Sequence, residues 1–141
     1  MEEKSQPELI VSKMMDSDHF SQWLGIEVLA LSEGHCKLKM KVRREMLNGF
    51  SILHGGISFS LADSCFAFAS NSRGLLCVSL QASISYPLSA KEGDVLIAES
   101  KEISFGKSSA IYDVEVKVEG TEILIAIFRG VGYRTNKSVL D

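Results

Sequence analysis

The sequence has little proline and cysteine and no long hydrophobic run, and each shortage excludes a class of protein. Its three cysteines among 141 residues include no C-x-x-C pair, so they indicate neither a disulfide framework nor a zinc site, and we expect a reducing compartment. Two prolines are too few for a proline-rich, disordered chain. The longest apolar-rich stretch, residues 57–69, is too short to span a bilayer and contains Asp63.

An excess of positive charge is lacking as well. Lysine and arginine number 15 against 18 acidic residues, a formal net charge of −3, whereas non-specific nucleic-acid binding needs a basic surface. Residues 1–7 are polar and acidic, unlike the start of a secretory signal peptide. The length fits one domain over residues 1–141. We therefore expect a single-domain cytoplasmic protein that binds neither nucleic acid nor membrane.

The hydrophobic pattern changes its period along the chain. The first two dozen residues look helical, with roughly helical spacing from Glu8 to Met15, Asp18 as the cap of a short turn and Gly25 as its end. From Ile26 the period becomes two, which predicts strands with one buried face. After a first strand near Ile26, strands are predicted near residues 36–43, 77–86, 94–103, 112–119 and 123–133. Hairpin turns are predicted at Glu92-Gly93, Phe105-Gly106 and Glu119-Gly120, which favours an antiparallel meander.

One segment interrupts the strands. Residues 54–72 are apolar nearly all round, as in a helix that is buried on most sides. The predicted order of elements is therefore β-β-α-β-β-β-β. A sheet that curls around a single helix is the simplest way to bury both surfaces. This is an α+β hotdog fold, in which a long antiparallel sheet wraps around one central helix after a short N-terminal helical segment.

Asp63 is the first candidate functional residue, because it lies in this apolar segment beside Leu61, Ala62, Cys65 and Phe66. A carboxylate in apolar surroundings either finds partners or has a raised pKa, and either outcome suits a catalytic acid or base. The alternative is that Asp63 faces a partly wet groove or caps a neighbouring backbone group.

His54-Gly55-Gly56 is the second candidate, at the predicted start of the helix. Glycines there allow close approach to the backbone, and the free N–H groups of a helix N-terminus attract developing negative charge. Such donors could stabilise the oxyanion formed when a thioester or ester carbonyl is attacked. The alternative is a tight turn with a solvated histidine.

The two candidates are nine residues apart, since one is His54 and the other Asp63. In a helix this separation is about 13 Å along the axis, with the side chains on nearly opposite sides. The two groups cannot easily serve one substrate atom within a chain. A shared site therefore favours two chains, the turn of one meeting the helix of the other.

The combined pattern, Asn48-Gly49, His54-Gly55-Gly56 and the helical Asp63, resembles the signature of hotdog acyl-CoA thioesterases of the phenylacetate-degradation (PaaI-like) type. The resemblance extends from Trp23-Leu24-Gly25-Ile26 to the final strand. It implies hydrolysis of an acyl-CoA to a free acid and CoA, with no bound metal or other cofactor. It also implies a homo-oligomer, either a dimer or a tetramer built as a dimer of dimers, with CoA held near subunit boundaries.

The resemblance also implies roles for individual residues. Asp63 would be the general base or the nucleophile, and the Gly55 N–H would bind the thioester oxygen. Asn48 and His54 would position the thioester or water. Further candidates, less well supported by the pattern, are a water-orienting serine and two substrate-binding residues: Ser79, Gly56 and Lys107. A lysine solvated in a hairpin is the alternative for Lys107, and Arg73, Arg129 and Arg134 are weaker candidates for the CoA phosphates.

Two other functions stay open. A hydratase or dehydratase on the same fold would use a histidine and a carboxylate to exchange protons with the acyl chain. A non-catalytic acyl-CoA-binding protein would keep the pocket without the chemistry. The acyl group is also open, with aryl-acetyl and medium aliphatic chains as the leading possibilities.

Overall fold

The computed structural model describes residues 2–141, with three helices and six strands. Helices α1 (Gln6–Ser17) and α2 (His19–Leu24) come first, followed by strands β1 (Glu27–Ser32) and β2 (His35–Lys41). A 3-10 turn (Arg44–Met46) and a loop lead into the long helix α3 (Gly55–Asn71). The chain then forms β3 (Leu75–Ser85), β4 (Val95–Phe105), β5 (Ser109–Val118) and β6 (Leu124–Ser138). The predicted order of elements is confirmed.

The six strands form one antiparallel sheet in the order β1-β2-β4-β5-β6-β3. The predicted meander is therefore wrong at one position, because β3 pairs with β6 and not with β4. Both edges of β4 are already taken, one by β2 and the other by β5. Glu92-Gly93 accordingly forms a turn before β4 without closing a hairpin, whereas the turns after Phe105 and Val118 do join paired strands.

Helix α3 lies in the curve of the sheet and contacts five of its strands, β2 to β6. Phe66 packs near Tyr112 on β5 and Phe128 on β6, with ring centroids 6.0 and 5.9 Å away. The helix comes very close to β6, since a Cβ on Gly130 would be 2.8 Å from the ring of Phe66. Burying an aromatic side chain of this kind contributes about 1.5–3 kcal/mol. The wrapped helix of the hotdog fold is confirmed.

The N-terminal helices cover one side of α3. Helix α1 buries Ile10 and Val11. Asp18 caps α2 as predicted, and Gly25 ends it with a φ of 74°, which a glycine adopts without strain. Arg43 then donates to the carbonyl oxygens of Trp23 (2.7 Å) and Leu24 (3.1 Å), two of the acceptors that a helix end leaves unpaired.

No helix within residues 2–141 is long and apolar enough to cross a membrane.

The close approach of α3 to β6 yields a stability prediction. Gly130→Ala should lower the free energy of unfolding by about 1–3 kcal/mol, because the added methyl group overlaps the ring of Phe66 in a packed core. Gly106→Ala is the matched control, since its Cβ meets only an ordinary contact at 3.5 Å. Urea unfolding measures both variants. If Gly130→Ala were as stable as the wild type, α3 would not rest on β6 at this point.

Candidate active site

The loop before α3 is held by Asn48. Its Oδ1 accepts hydrogen bonds from the N–H groups of Phe50 (2.8 Å) and Ile52 (3.4 Å), and its own N–H donates to the Ile52 carbonyl oxygen at 2.8 Å. Ser51, between them, has a φ of 60°, so the loop makes a sharp reversal there. The side-chain nitrogen of Asn48, Nδ2, has no acceptor among residues 2–141. Asn48 thus shapes the loop with its oxygen and keeps its NH₂ group available.

His54 is the N-cap of α3. Its Nδ1 accepts the N–H of Gly56 at 2.9 Å, and its carbonyl oxygen accepts the N–H of Ile57 at 2.9 Å. An accepting Nδ1 means that the neutral ring carries its proton on Nε2. The structure therefore places His54 as a helix cap that orders the turn, and it occupies the N–H of Gly56, which was predicted to contact substrate.

The N–H of Gly55 differs from its neighbours. Within the described chain no acceptor lies within hydrogen-bonding distance of it, although it is the first amide of a 17-residue helix. Amides at this end carry partial positive charge and point out of the helix. Gly55 thus presents a free donor in a fixed position, which is the geometry that an oxyanion site requires.

Tyr86, which follows β3, binds the carbonyl group of Gly55. Its hydroxyl donates to the Gly55 carbonyl oxygen at 3.0 Å, and a Cβ on Gly55 would lie 3.1 Å from its Cζ atom. Sequence reasoning missed Tyr86 as a site residue. Its position next to Pro87 signals only the end of a strand, and the contact spans 31 residues.

A cavity of about 230 Å³ opens beside Gly55 and Tyr86. Its polar lining comes from Asn48, Gly55 and Ser58, and its apolar lining includes Ile52, Leu88 and Ile125. The cavity thus joins the free N–H to an apolar surface. A larger concavity of about 1020 Å³ lies elsewhere on the sheet and is lined mainly by charged side chains, and none of the candidate residues borders it.

Asp63 is half-buried on α3 and accepts no hydrogen bond from residues 2–141. Burial raises the pKa of its carboxyl group above the ordinary value, and the negative charge of Asp18 raises it further. The predicted perturbation of this acid is therefore present. A raised pKa makes the carboxylate a stronger base than a solvated aspartate.

The structure brings some predicted residues together and separates others. Asn48, His54 and Gly55 share the turn at the head of α3. Asp63 lies eight residues further along the same helix than Gly55, about 12 Å by helical rise. One chain therefore does not unite the free N–H and the carboxyl group around a common point.

Ser79 lies on β3, where the regular alternation is interrupted. A bulge separates Ser79 from Gln81, so Ser79 shares the side of Cys77, which is buried in the core. The bulge reverses the phase of the residues after it, so the period of two predicted for this strand does not run through it without interruption. Ser79 itself is exposed.

Lys107 is exposed in the turn between β4 and β5. The three arginines considered as alternatives are already engaged. Arg73 pairs with Glu102 at 3.0 Å, Arg129 pairs with Asp113 at 2.6 Å, and Arg134 donates to the Gly106 carbonyl oxygen at 2.6 Å. Among these four cations, the ammonium of Lys107 has no partner in the part of the chain that the structure describes.

Comparison with known proteins places this geometry in a family. Residues 50–125 match the model of the thioesterase superfamily. The acyl-coenzyme A thioesterase PaaI of Escherichia coli K12 is 36% identical over 126 residues, which cover 89% of each chain. The solved structure of the E. coli PaaI protein from the phenylacetic acid degradation operon has a TM-score of 0.90 at 33% identity and covers 94% of this chain and 96% of that one. The Streptococcus mutans UA159 protein smu.793, bound to acetyl-CoA, has a TM-score of 0.76 at 28% identity and covers 79% and 90%.

The chain belongs to the thioesterase superfamily. The resemblance to PaaI-like proteins is confirmed, and so are the hotdog fold and the class of enzyme, a thioester hydrolase.

The contact between Gly55 and Tyr86 yields a prediction for activity. Gly55→Ala should lower kcat/KM for a thioester by roughly 10- to 100-fold, since the methyl group displaces the turn, whereas complete loss of an oxyanion donor costs about 10²–10³-fold. Gly55 has no positive φ, so the backbone itself tolerates alanine. Gly49→Ala is the control, because nothing lies within 4 Å of its Cβ. Equal activity of the two variants would remove Gly55 from the site.

Proposed function

We propose that this protein is an acyl-CoA thioesterase that hydrolyses an acyl-CoA to a free acid and CoA, with Asp63 as the general base. The observation that carries the proposal is the unoccupied N–H of Gly55, fixed at the head of α3 beside a partly apolar cavity. The relatives support the substrate class, since one is an acyl-coenzyme A thioesterase and another is a structure bound to acetyl-CoA.

In the proposed reaction the thioester oxygen accepts the N–H of Gly55, and the NH₂ of Asn48 holds the thioester or the attacking water. Asp63 takes a proton from the water molecule while the oxygen of that water attacks the carbonyl carbon. The negative charge on the carbonyl oxygen is stabilised at the positive end of α3. The tetrahedral intermediate then expels the CoA thiolate, which takes up a proton. The reaction consumes only water and needs no cofactor.

The pH dependence follows from the direction of the Asp63 shift. Asp63 acts as a base only when it is ionised, so kcat/KM falls as the pH drops through its pKa. Burial and Asp18 raise that pKa, and the acidic limb of the profile should therefore lie above the range of a solvated aspartate. Because the pKa of Asp63 is higher in the folded state than in the unfolded chain, its ionisation lowers the free energy of unfolding as the pH rises through that pKa.

The site is proposed to be shared by two copies of the chain. The free N–H and the carboxyl group do not meet within one chain, and β3 is an edge strand whose second side is unpaired among residues 2–141. Val78 and Leu80 on this strand are 40% and 66% exposed. Long, exposed, apolar edge strands pair readily with another chain. Pairing through β3 gives a dimer, which a further contact could extend to a tetramer.

The acyl group is proposed to be an aryl-acetyl or a medium-chain aliphatic group. The cavity of about 230 Å³ is smaller than the roughly 300–1000 Å³ of sites for drug-sized ligands, so one chain accommodates only part of the substrate. Aryl-acetyl and medium-chain thioesters are the first substrates to test, and a role in phenylacetate degradation is the corresponding proposal. The exposed Lys107 is the proposed contact for a CoA phosphate.

The role of Asp63 is tested by Asp63→Asn with a panel of aryl-acetyl, short-chain and medium-chain acyl-CoAs. We expect kcat to fall about 10²–10⁴-fold, the usual contribution of general base catalysis. The free energy of unfolding at neutral pH should be unchanged or higher, since a carboxyl group with a raised pKa is removed. Asp16→Asn, at an exposed position, is the control.

Single turnover in ¹⁸O-labelled water tests Asp63 as a nucleophile, because label enters its carboxylate only if a mixed anhydride forms and water attacks that anhydride at the Asp63 carbonyl carbon. Full activity of Asp63→Asn would disprove the mechanism. Tight binding of acyl-CoA by the wild type, without release of thiol from any substrate, would favour the binding-protein alternative.

The shared site is tested by mixing two variants that are each strongly impaired, with their residual activities subtracted. Asp63→Asn retains the turn and Gly55→Ala retains the carboxyl group, so a mixed dimer contains one intact site. Randomly assorted subunits should recover about a quarter of wild-type activity, because half of the dimers are mixed and one site in two is intact in each. Mixing Asp63→Asn with the double variant Gly55→Ala/Asp63→Asn is the control. No recovery from the first mixture would show that each chain carries a complete site.

A further inference from the structure

A chain of hydrogen bonds links the junction of α1 and α2 to the turn of α3 that carries Asp63. Asp18 accepts the N–H of Ser21 at 3.0 Å and its hydroxyl at 2.7 Å. The Ser21 hydroxyl also lies 2.8 Å from that of Ser64, which is adjacent to Asp63. The chain crosses between two packed helices over 43 residues of sequence.

The link is enclosed by protein. Ser21, inside α2, is 1% exposed, so its hydroxyl depends on protein partners. A buried hydroxyl that loses its partners costs about 1–3 kcal/mol, so Ser21 and Ser64 restrain each other. This restraint fixes the rotation and height of α3 at the position next to Asp63.

The same link holds a negative charge near Asp63. Asp18 is held as the N-cap of α2 by two hydrogen bonds from Ser21, and its field on Asp63 adds to the effect of burial. Other titratable groups near this side are the exposed Asp16 and His19. The strands that pack on α3 add Cys36, Cys77 and Tyr112, and α3 itself adds Cys65; none of these contributes to the shift at Asp63.

We propose that Asp18 is a positioning residue for Asp63: through Ser21, and Ser21 through Ser64, it is tied to the turn of α3 that carries Asp63 and places a second carboxylate near that turn. The inference rests on the proposed role of Asp63 as the base. It gives α1 and α2 a function beyond covering the core, since they place a second carboxylate beside the reacting one.

The test is the pH profile of kcat/KM for Asp18→Asn. Asparagine caps a helix about as well as aspartate, because its one side-chain oxygen can still accept the N–H of Ser21 while its NH₂ group faces the Ser21 hydroxyl; the fold and the melting temperature should therefore be retained. Removing the like charge lowers the pKa of Asp63, and the acidic limb should move to lower pH. Relative to its own plateau, the variant should be about two- to tenfold more active at the acidic end, since one pKa unit is tenfold.

Three further measurements make the result decisive. Asp16→Asn removes an exposed charge from the last turn of α1, two residues before Asp18, and should leave the acidic limb of the pH profile unmoved. Ser64→Ala removes the hydrogen bond between Ser21 and Ser64 but retains the charges of Asp18 and Asp63. We therefore expect kcat to fall, while the acidic limb of the pH profile moves little. The ¹³C resonance of the Asp63 carboxyl group, titrated by NMR without substrate, should shift with Asp18→Asn as the kinetic limb does.

The outcomes separate this inference from the proposed function. If Asp63→Asn were inactive but Asp18→Asn left both the acidic limb and the NMR titration unchanged, Asp18 would be only a helix cap and the inference would be overturned. If Asp63→Asn were fully active, the proposed base would be wrong, and the inference would fail with it. A parallel shift in both measurements supports it.

Discussion

The fold depends on the packing of one apolar helix into the curve of a six-stranded sheet. Helix α3 contacts five strands and is covered on another side by α1 and α2, so most of its surface is inaccessible. The closest approach is at β6, where glycine at position 130 makes room for the ring of Phe66. Because the helix is largely enclosed, the candidate groups are accessible at its N-terminus and on the half-buried side at Asp63. The location of the site follows from this packing.

Much of the fold could be predicted because it depends on local patterns. A period of two predicts strands, and an apolar segment without a polar face predicts a buried helix. The pairing of β3 could not be predicted this way. It is decided by competition for the edges of β4, which β2 and β5 occupy. The bulge after Ser79 is equally hidden, because it reverses the alternation without a proline or glycine to signal it.

The candidate site was predictable where a residue is costly in its own segment. An acid inside an apolar helix is such a case, and so is a glycine pair at a helix start. Tyr86 and Asp18 could not be identified in that way, since neither is unusual in its local sequence. Their importance arises from contacts made by folding, the bond of Tyr86 to Gly55 and the serine link from Asp18 to α3. Sequence patterns therefore reveal the candidate reacting groups more easily than they reveal the residues that hold those groups in place.

The head of α3 shows how the division of labour in the site arises. A helix start offers several unpaired N–H groups, and His54 uses its ring and carbonyl to occupy those of Gly56 and Ile57. Only the N–H of Gly55 is left without an acceptor among these three, while Tyr86 donates to the carbonyl oxygen of the same residue. His54 thus leaves one N–H group free at the helix start, and its Nδ1 is occupied by the hydrogen bond from Gly56. Because Nδ1 of His54 is engaged in the cap, His54 has an ordering role, and the carboxyl group of Asp63 is the proposed base.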